Sequence, residues 1–324
     1  MYRILIWGCG LQYNQYINSI RFCENRGGIR IVGITAKDNL YPCLDGYPFI
    51  PLEDISSESV DYIVVTSERY FQDILITAME MGFSRDRVLK AKIFCLPYFD
   101  FREYIELLQS NVSIIAINCW GGHSYHALGM EFTSPFINMH VNSEDYIKLL
   151  KNFHYYIKQP LKFHRIHYDF HMKKEHPVAL LDDVELYLNH YDNMEEAEEK
   201  WSNRIERMNM DNLFAMMYTK DQIVLEKFDQ IPFDKKVCFV PFKSSLQSAL
   251  TLQTASHREM QGVPFWQVVN QTPAGYFHDY NLIKLLLHGA VNHDRYYKKS
   301  EAYARVDSSV SKEIGCLSDD VRAD

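Results

Sequence analysis

Residues 113–126 read Ser-Ile-Ile-Ala-Ile-Asn-Cys-Trp-Gly-Gly-His-Ser-Tyr-His. The run Ser113 to Ile117 reads as a buried strand that ends abruptly in polar groups. Asn118, Cys119, His123, Ser124 and His126 crowd around Gly121 and Gly122. Read as a loop, this stretch offers several kinds of chemistry. The glycines would leave backbone amides open to an oxyanion or a phosphate. His123 or His126 would act as a base near neutral pH. Cys119 would be a nucleophile if its thiol were made acidic, and Ser124 if a base reached it. Asn118, Trp120, Gly121, Gly122 and Tyr125 complete the set as substrate contacts. The plainer reading is a glycine turn in which Trp120 and Tyr125 fill the core and Cys119 is an inert small hydrophobe.

Leu180-Leu181-Asp182-Asp183-Val184-Glu185 is the second constellation. Adjacent carboxylates after an apolar run are costly unless solvated, paired or bound to a cation. Asp183 could orient a histidine, with Asp182 and Glu185 contacting substrate; a solvated turn is the alternative. His164, His167, His171 and His176 form a third group. On a strand His167 and His171 share a face with Asp169 while His164 points away. That is poor geometry for zinc, which needs converging ligands, so a polar sheet face is expected and no metal. Trp201, Arg204 and Arg207 share one side of a charged helix. Arg204 could meet a phosphate or carboxylate there, although Glu195, Glu198 and Glu199 make a solvated face the simpler expectation.

These groups need a scaffold. Tyr2 to Trp7 reads as a strand, followed by Gly8-Cys9-Gly10 and a helix over 12–25 with Tyr16, Ile17, Ile20 and Cys23 on one stripe. Strands follow at Ile29 to Ile34, Asp61 to Ser67 and Val88 to Ala91, with a helix at 69–81. This order implies a parallel sheet with helices on both faces. Gly8 and Gly10 fill two positions of G-x-G-x-x-G, but Tyr13 replaces the third glycine and would crowd a pyrophosphate. Gly8, Gly10 and Asp38, which follows the second strand, are the candidate cofactor contacts, for a nucleotide or nucleotide-sugar.

A helix from Asp100 to Leu108 links the halves. Beyond it the spacing predicts extended chain over Ser134 to Val141 and a helix over 144–158 opened by Ser143. Strands are expected at Phe163 to Asp169, Val178 to Leu181, Val184 to His190, Asn212 to Tyr218, Lys236 to Phe242 and Val263 to Val269. Helices are expected from Asn193, with Glu196 placed as in a capping box, and over 221–230. The fold class is α/β: an N-terminal Rossmann-like parallel sheet (1–95), a second α/β domain with a mixed sheet (96–290), and a polar peripheral tail (291–324).

Composition narrows the partners. A net charge of −8 argues against nucleic acid. No apolar run approaches the ~20 residues of a membrane helix. The chain enters its first strand directly, without a signal-peptide layout. Seven scattered cysteines without a C-x-x-C pair fit reduced thiols in a cytoplasmic protein. The 22 Tyr and 19 Phe lean faintly towards a carbohydrate ligand.

Asn118-Cys119-Trp120-Gly121-Gly122, Tyr125-His126, Leu128-Gly129 and Thr133-Ser134-Pro135 resemble the opening of a bacterial domain of unknown function. Leu180-Leu181-Asp182-Asp183, Glu185, Trp201, Arg204 and Asn209 to Asn212 extend the resemblance over about residues 112–245. It implies a role in capsule or exopolysaccharide synthesis, with a sugar or polysaccharide precursor as substrate and other polysaccharide-synthesis enzymes as partners. Residues 1–95 resemble Rossmann-like half-domains of polysaccharide enzymes, from which Tyr13 departs. The expectation is a glycan-modifying group transferase, with acyl transfer as one form. His123 or His126 would be the base, Asp183 its orienting acid, and Asn118 with the glycine amides the oxyanion donors. The alternatives are a non-catalytic nucleotide-sugar sensor or scaffold, and a metal-dependent hydrolase using Asp182, Asp183 and a histidine.

Overall fold

The computed structural model of the chain describes residues 1–37, 42–274 and 279–290. Asp38 and the tail over 291–324 lie outside the described residues.

The first sheet is built from β1 (Tyr2–Trp7), β2 (Ile29–Thr35), β5 (Tyr62–Val65) and β6 (Val88–Lys90), all parallel, in the order β2-β1-β5-β6. A small hairpin of β3 (Cys43–Leu44) and β4 (Tyr47–Pro48) lies between β2 and β5. Alternation along β1 and β5 assigns the two faces. Ile4, Ile6, Tyr62 and Val64 meet Tyr13, Tyr16, Ile17 and Ile20 of helix α1 (Leu11–Asn25). Leu5, Trp7, Ile63 and Val65 meet Phe71 and Leu75 of α2 (Phe71–Glu80). The strand order reverses between β1 and β5, so the β1–α1 turn opens at the switch point.

Helix α3 (Phe101–Ser110) carries the chain onward, and the Asp100 carboxylate caps it by accepting the amides of Arg102 (2.9 Å) and Glu103 (3.2 Å). The second parallel sheet, ordered β14-β13-β12-β7, consists of β7 (Ser113–Ala116), β12 (Leu213–Tyr218), β13 (Lys235–Val240) and β14 (Ala249–Thr251). An antiparallel sheet, ordered β8-β11-β10-β9, consists of β8 (His140–Val141), β9 (Leu161–Asp169), β10 (Lys174–Leu181) and β11 (Val184–Tyr187). Ile117 joins the two: its amide donates to the Met216 carbonyl at 3.0 Å and its carbonyl accepts from the Val141 amide at 2.9 Å. The mixed α/β character thus takes the form of a parallel and an antiparallel sheet meeting at one residue.

The remaining helices are α4 (Trp120–Leu128), α5 (Ser143–Lys151), α6 (Phe153–Tyr156), α7 (Met194–Ile205), α8 (Gln222–Asp229), α9 (Gln253–Met260), α10 (Phe265–Gln271) and α11 (Leu282–His288). Asn193 does cap α7, accepting the Glu196 amide at 2.8 Å. Other expectations need correction. Only His140–Val141 of the 134–141 stretch is strand; Pro135 and a left-handed Asn138 (φ 61°) break the rest. The helix expected over 144–158 divides at Asn152 (φ −127°). The strand expected over 263–269 is helix α10, whose buried Phe265, Val268 and Val269 follow helical spacing after Pro264.

One apolar core runs from β1 through α3 and both later sheets to α11. Tyr2, Tyr62 and Phe101 form a ring cluster at the join, each pair of centroids 5.5 Å apart.

Candidate functional site

The segment after β7 is helix α4, not a loop, and this reassigns most of its side chains. Trp120, Gly121, Ser124 and Tyr125 are buried. The Trp120 indole donates to Thr272 Oγ1 (3.2 Å) and Tyr280 Oη (3.0 Å). Ser124 Oγ donates to the Trp120 carbonyl at 2.9 Å, a bond within the helix that leaves no nucleophile. Tyr125 Oη accepts the Ile114 amide at 2.8 Å and pins α4 to β7. Gly121 is small because the strand is close: a Cβ there would meet Ala116 Cβ at 3.1 Å and Ile114 Cγ2 at 3.4 Å. The glycine pair serves close packing, so the open cradle expected from it is replaced by the first turn of a helix. Burial pushes the Cys119 thiol up to about 12, the opposite of an activated nucleophile. His126 is exposed at the far end of α4.

The acidic stretch does not join this segment. Asp182 and Asp183 form the two-residue turn between β10 and β11, with Asp182 left-handed at φ 58°. Tyr155 Oη donates to Asp182 (2.8 Å), and Tyr156 Oη (2.8 Å) and Lys148 Nζ (3.0 Å) meet the Asp183 carboxylate. These partners hold Asp183 below the usual carboxylate range, with the Tyr156 bond the largest cause. Extended chain from Asp183 to Leu188 spans roughly 16 Å, which separates this turn from residues 189–190. Glu185 accepts from Arg165 Nη2 (3.0 Å) and Tyr187 Oη (2.8 Å) on the outer face of the antiparallel sheet. Arg204, read as a candidate anion contact or part of a solvated face, is instead 6% exposed and donates to Tyr191 Oη at 2.7 Å. Its partner Trp201 packs against Phe136.

The structure instead gathers imidazoles about the carboxyl edge of β7. His123, half-buried one turn into α4, lies within electrostatic reach of His190. His190 follows β11 and donates its amide to the Asn138 carbonyl at 3.4 Å. Burial, then His126 and His190, pushes the His123 imidazole below its ordinary value, so it is neutral at pH 7. Cys119 lies within reach of Tyr191 and of Tyr218 at the end of β12. Asn118, just ahead of the Cys119 N-cap, accepts the Trp120 amide on Oδ1 at 3.1 Å, while its own Nδ2 is buried without a partner. Asn189 Oδ1 is likewise buried and unpaired. Buried polar atoms without partners are rare and each costs about 1–3 kcal/mol. Asn118 sits at the carboxyl end of parallel strand β7, where α/β sheets hold ligands.

The same imidazole group continues onto the antiparallel sheet. His140 stacks on Tyr187 at 4.6 Å, and His176 lies 5.2 Å from His167 and 6.5 Å from His140, ring to ring. A register shift in β9 turns His164 towards Glu185 (3.3 Å), and His171 lies beyond the strand against Trp266 (6.2 Å). The expected grouping of His167 with His171 is therefore replaced by His167 with His176. Among the described residues no set of three His, Cys, Asp or Glu side chains is arranged to hold a metal ion.

At the β1–α1 turn Gly8 is left-handed (φ 113°) and its amide donates to the Thr35 carbonyl at 2.8 Å. Tyr13 fills the third glycine's place, 1% exposed, with its hydroxyl on Asp45 at 2.9 Å. Gly10 is the N-cap residue of α1, and the buried Thr35 Oγ1 has no partner.

A cavity of about 530 Å³ lies elsewhere, lined by Asn212, Leu213, Asp234 and Lys235 among others. These residues start β12 and β13, so it opens at the amino edge, opposite to where such sheets hold ligands. Sequence reasoning missed Asn189, His190, His140 and Tyr218. The signal was present in Asn189-His190-Tyr191, polar groups directly after a strand, as with Asn118 and Cys119.

Two family models match the chain. One described as Domain of unknown function (DUF1919) covers residues 90–286. One described as C2185-like, N-terminal, covers residues 1–89. An uncharacterized protein of Haemophilus influenzae is 37% identical over 137 residues, which is 41% of this chain and 64% of that relative. The chain thus spans somewhat under two thirds of the relative's length.

Proposed function

The chain belongs to the DUF1919 family, and we propose that it transfers a group, acyl in the simplest form, to a hydroxyl of a sugar or polysaccharide precursor. The site is the carboxyl edge of β7 and β12. The observation that carries this reading is the Asn118 amide: 6% exposed, fixed by its bond to Trp120, with Nδ2 a donor awaiting an acceptor beside a neutral imidazole. Sugar hydroxyls and carbonyl oxygens supply such acceptors.

His123 takes the proton of the attacking hydroxyl, its imidazole held neutral beforehand by burial and by His126 and His190. The hydroxyl oxygen adds to the carbonyl carbon of an activated acyl donor. Asn118 Nδ2 and the Gly121 and Gly122 amides, which precede the first i→i−4 bond of α4, receive the oxyanion at the positive end of the helix. Collapse expels the donor's leaving group, which takes the proton back from His123. Asp183, at the hairpin turn, has no part. The setting we propose is cytoplasmic exopolysaccharide or capsule synthesis, alongside other enzymes of that process.

Saturation-transfer NMR with hexoses, sugar phosphates and nucleotide sugars tests the reading. Wild-type protein should give signals that Asn118→Leu abolishes and Asp183→Asn retains. Signals indifferent to Asn118→Leu, His123→Gln and His190→Gln would overturn it. A nucleotide-sugar sensor built on the first sheet is the second reading, favoured by the unpaired Thr35 hydroxyl beside the Gly8 turn. Signals abolished only by Gly8→Val would support it.

A further inference from the structure

A basic group lies one turn along α4 from His123. His126, in the last turn of that helix, is within electrostatic reach of Lys90 and Lys92. Lys90 is the last residue of β6, at the carboxyl edge of the first parallel sheet, the edge where such sheets hold ligands. Gly129 brings the helix end and the strand together: it is left-handed (φ 65°), and a Cβ there would meet Lys90 Cβ and Cδ at 3.8 Å. His126 is exposed and the two lysines are half-buried.

A single carboxylate acts on this group. Glu68 Oε1 stands 3.8 Å from Lys92 Nζ, an ion pair too long for a hydrogen bond. No carboxylate among the described residues pairs with the Lys90 ammonium, which rests over the Phe71 ring at 4.9 Å. Burial, then Lys92 and Arg85, pulls that ammonium below its ordinary value, with Glu68 opposing. Burial, then Lys92 and Lys90, does the same to the His126 imidazole. A half-buried cation without a carboxylate is costly, and an anionic ligand would supply the missing charge. The end of α4 does not repel such a ligand. Its Tyr125, His126 and Leu128 carbonyls accept from the Met130 amide, the Gly129 amide and the Tyr104 hydroxyl.

We propose that Lys90, Lys92 and His126 bind the phosphate of a phosphorylated sugar whose reacting hydroxyl lies at His123. This rests on the transferase reading and names its substrate class. A phosphate brings up to two charges and three acceptor oxygens, enough for two ammoniums and an imidazole carried on different elements; a uronate carboxylate brings one charge. His123 and His126 are separated by about 4.5 Å of helix rise, a span that a hexose ring covers between its phosphate and a remote hydroxyl. The substrate would then bridge the carboxyl edges of the two parallel sheets, which gives the N-terminal sheet a part in binding.

Calorimetric titration of the full chain with inorganic phosphate, glucose, glucuronate and glucose 1-phosphate tests the proposal. Glucose 1-phosphate should bind about tenfold or more tightly than glucose or glucuronate. Lys90→Met with Lys92→Met should remove that advantage with Tm near wild type, and Lys90→Arg with Lys92→Arg should keep it. Tighter binding still of UDP-glucose, or of glucose linked through phosphate to a short prenyl chain, lost in the methionine variant, would support the proposal and identify the source of the phosphate. Equal affinity for glucose, glucuronate and glucose 1-phosphate, no binding of any phosphate-bearing ligand, or an advantage that survives in the methionine variant would overturn it. Asn118→Leu separates this proposal from the transferase reading. Glucose 1-phosphate binding that needs Asn118 but not the lysines defeats the proposal alone; binding that needs the lysines but not Asn118 supports it and defeats the transferase site.

Discussion

His176 is 1% exposed and neither ring nitrogen has a partner. Burial, then the nearby His167, pushes its imidazole below the ordinary value; burial, then His176, pushes His140 down to about 4. Asp169 opposes these shifts and Lys174 reinforces that on His176. In the unfolded chain both rings titrate near 6.5, so between about 6.5 and 4 the unfolded state binds more protons. The stability tied to neutral imidazoles is therefore complete above about pH 6.5 and declines as pH falls towards about 4. Thermal melts should show a Tm level near pH 7 and falling below about 6. His176→Phe keeps a ring without a titratable nitrogen and should make that decline shallower; an unchanged slope would contradict the account. Asp183→Asn is the contrasting case. Its carboxylate is 62% exposed at a hairpin turn, so melts and sugar-binding spectra should both stay close to wild type.

At the scale of elements, the junction of β7 and α4 positions the site. Gly121 lets the helix approach Ala116 and Ile114, and Asn118 holds its first amide. Gly121→Ala puts a methyl group at 3.1 Å from Ala116 Cβ, so the helix must shift from the strand. Denaturant unfolding should show a loss of about 1–3 kcal/mol, and the shift should also weaken sugar binding, because His123 rides on that helix and Asn118 is bonded to its first amide. Binding left intact in a destabilised variant would detach the site from this junction. Period-two and period-3.6 patterns made most of the first sheet and helices α1, α3 and α7 legible in the sequence. The glycine pair concealed α4, because low helical propensity is overridden there by packing on β7. The run Val263 to Val269 concealed α10, because its β-branched residues suggest a strand while the buried positions 265, 268 and 269 follow a helix.

Across the whole molecule, one core joins β1 to α11, and Tyr104 of α3 ties its hydroxyl to the Leu128 carbonyl at 2.8 Å. Calorimetry should therefore show a single cooperative transition; two transitions, one belonging to residues 1–95, would mean the halves are independent. This continuity was not legible in the chain, which reads as two separate α/β patterns. The approach of His123 to His190 was hidden for the same reason, since it depends on Ile117 joining a parallel to an antiparallel sheet. We propose the carboxyl edge of β7, rather than the Asp182–Asp183 turn, as the seat of function, and glycan analysis in the organism of origin tests that most directly. Chromosomal Asn118→Leu, His123→Gln and His190→Gln variants that remain folded should each reproduce the surface-glycan change of a gene deletion, while Asp183→Asn should leave the glycan as in wild type. The reverse pattern, an altered glycan in Asp183→Asn and a normal one in the three edge variants, would contradict the account.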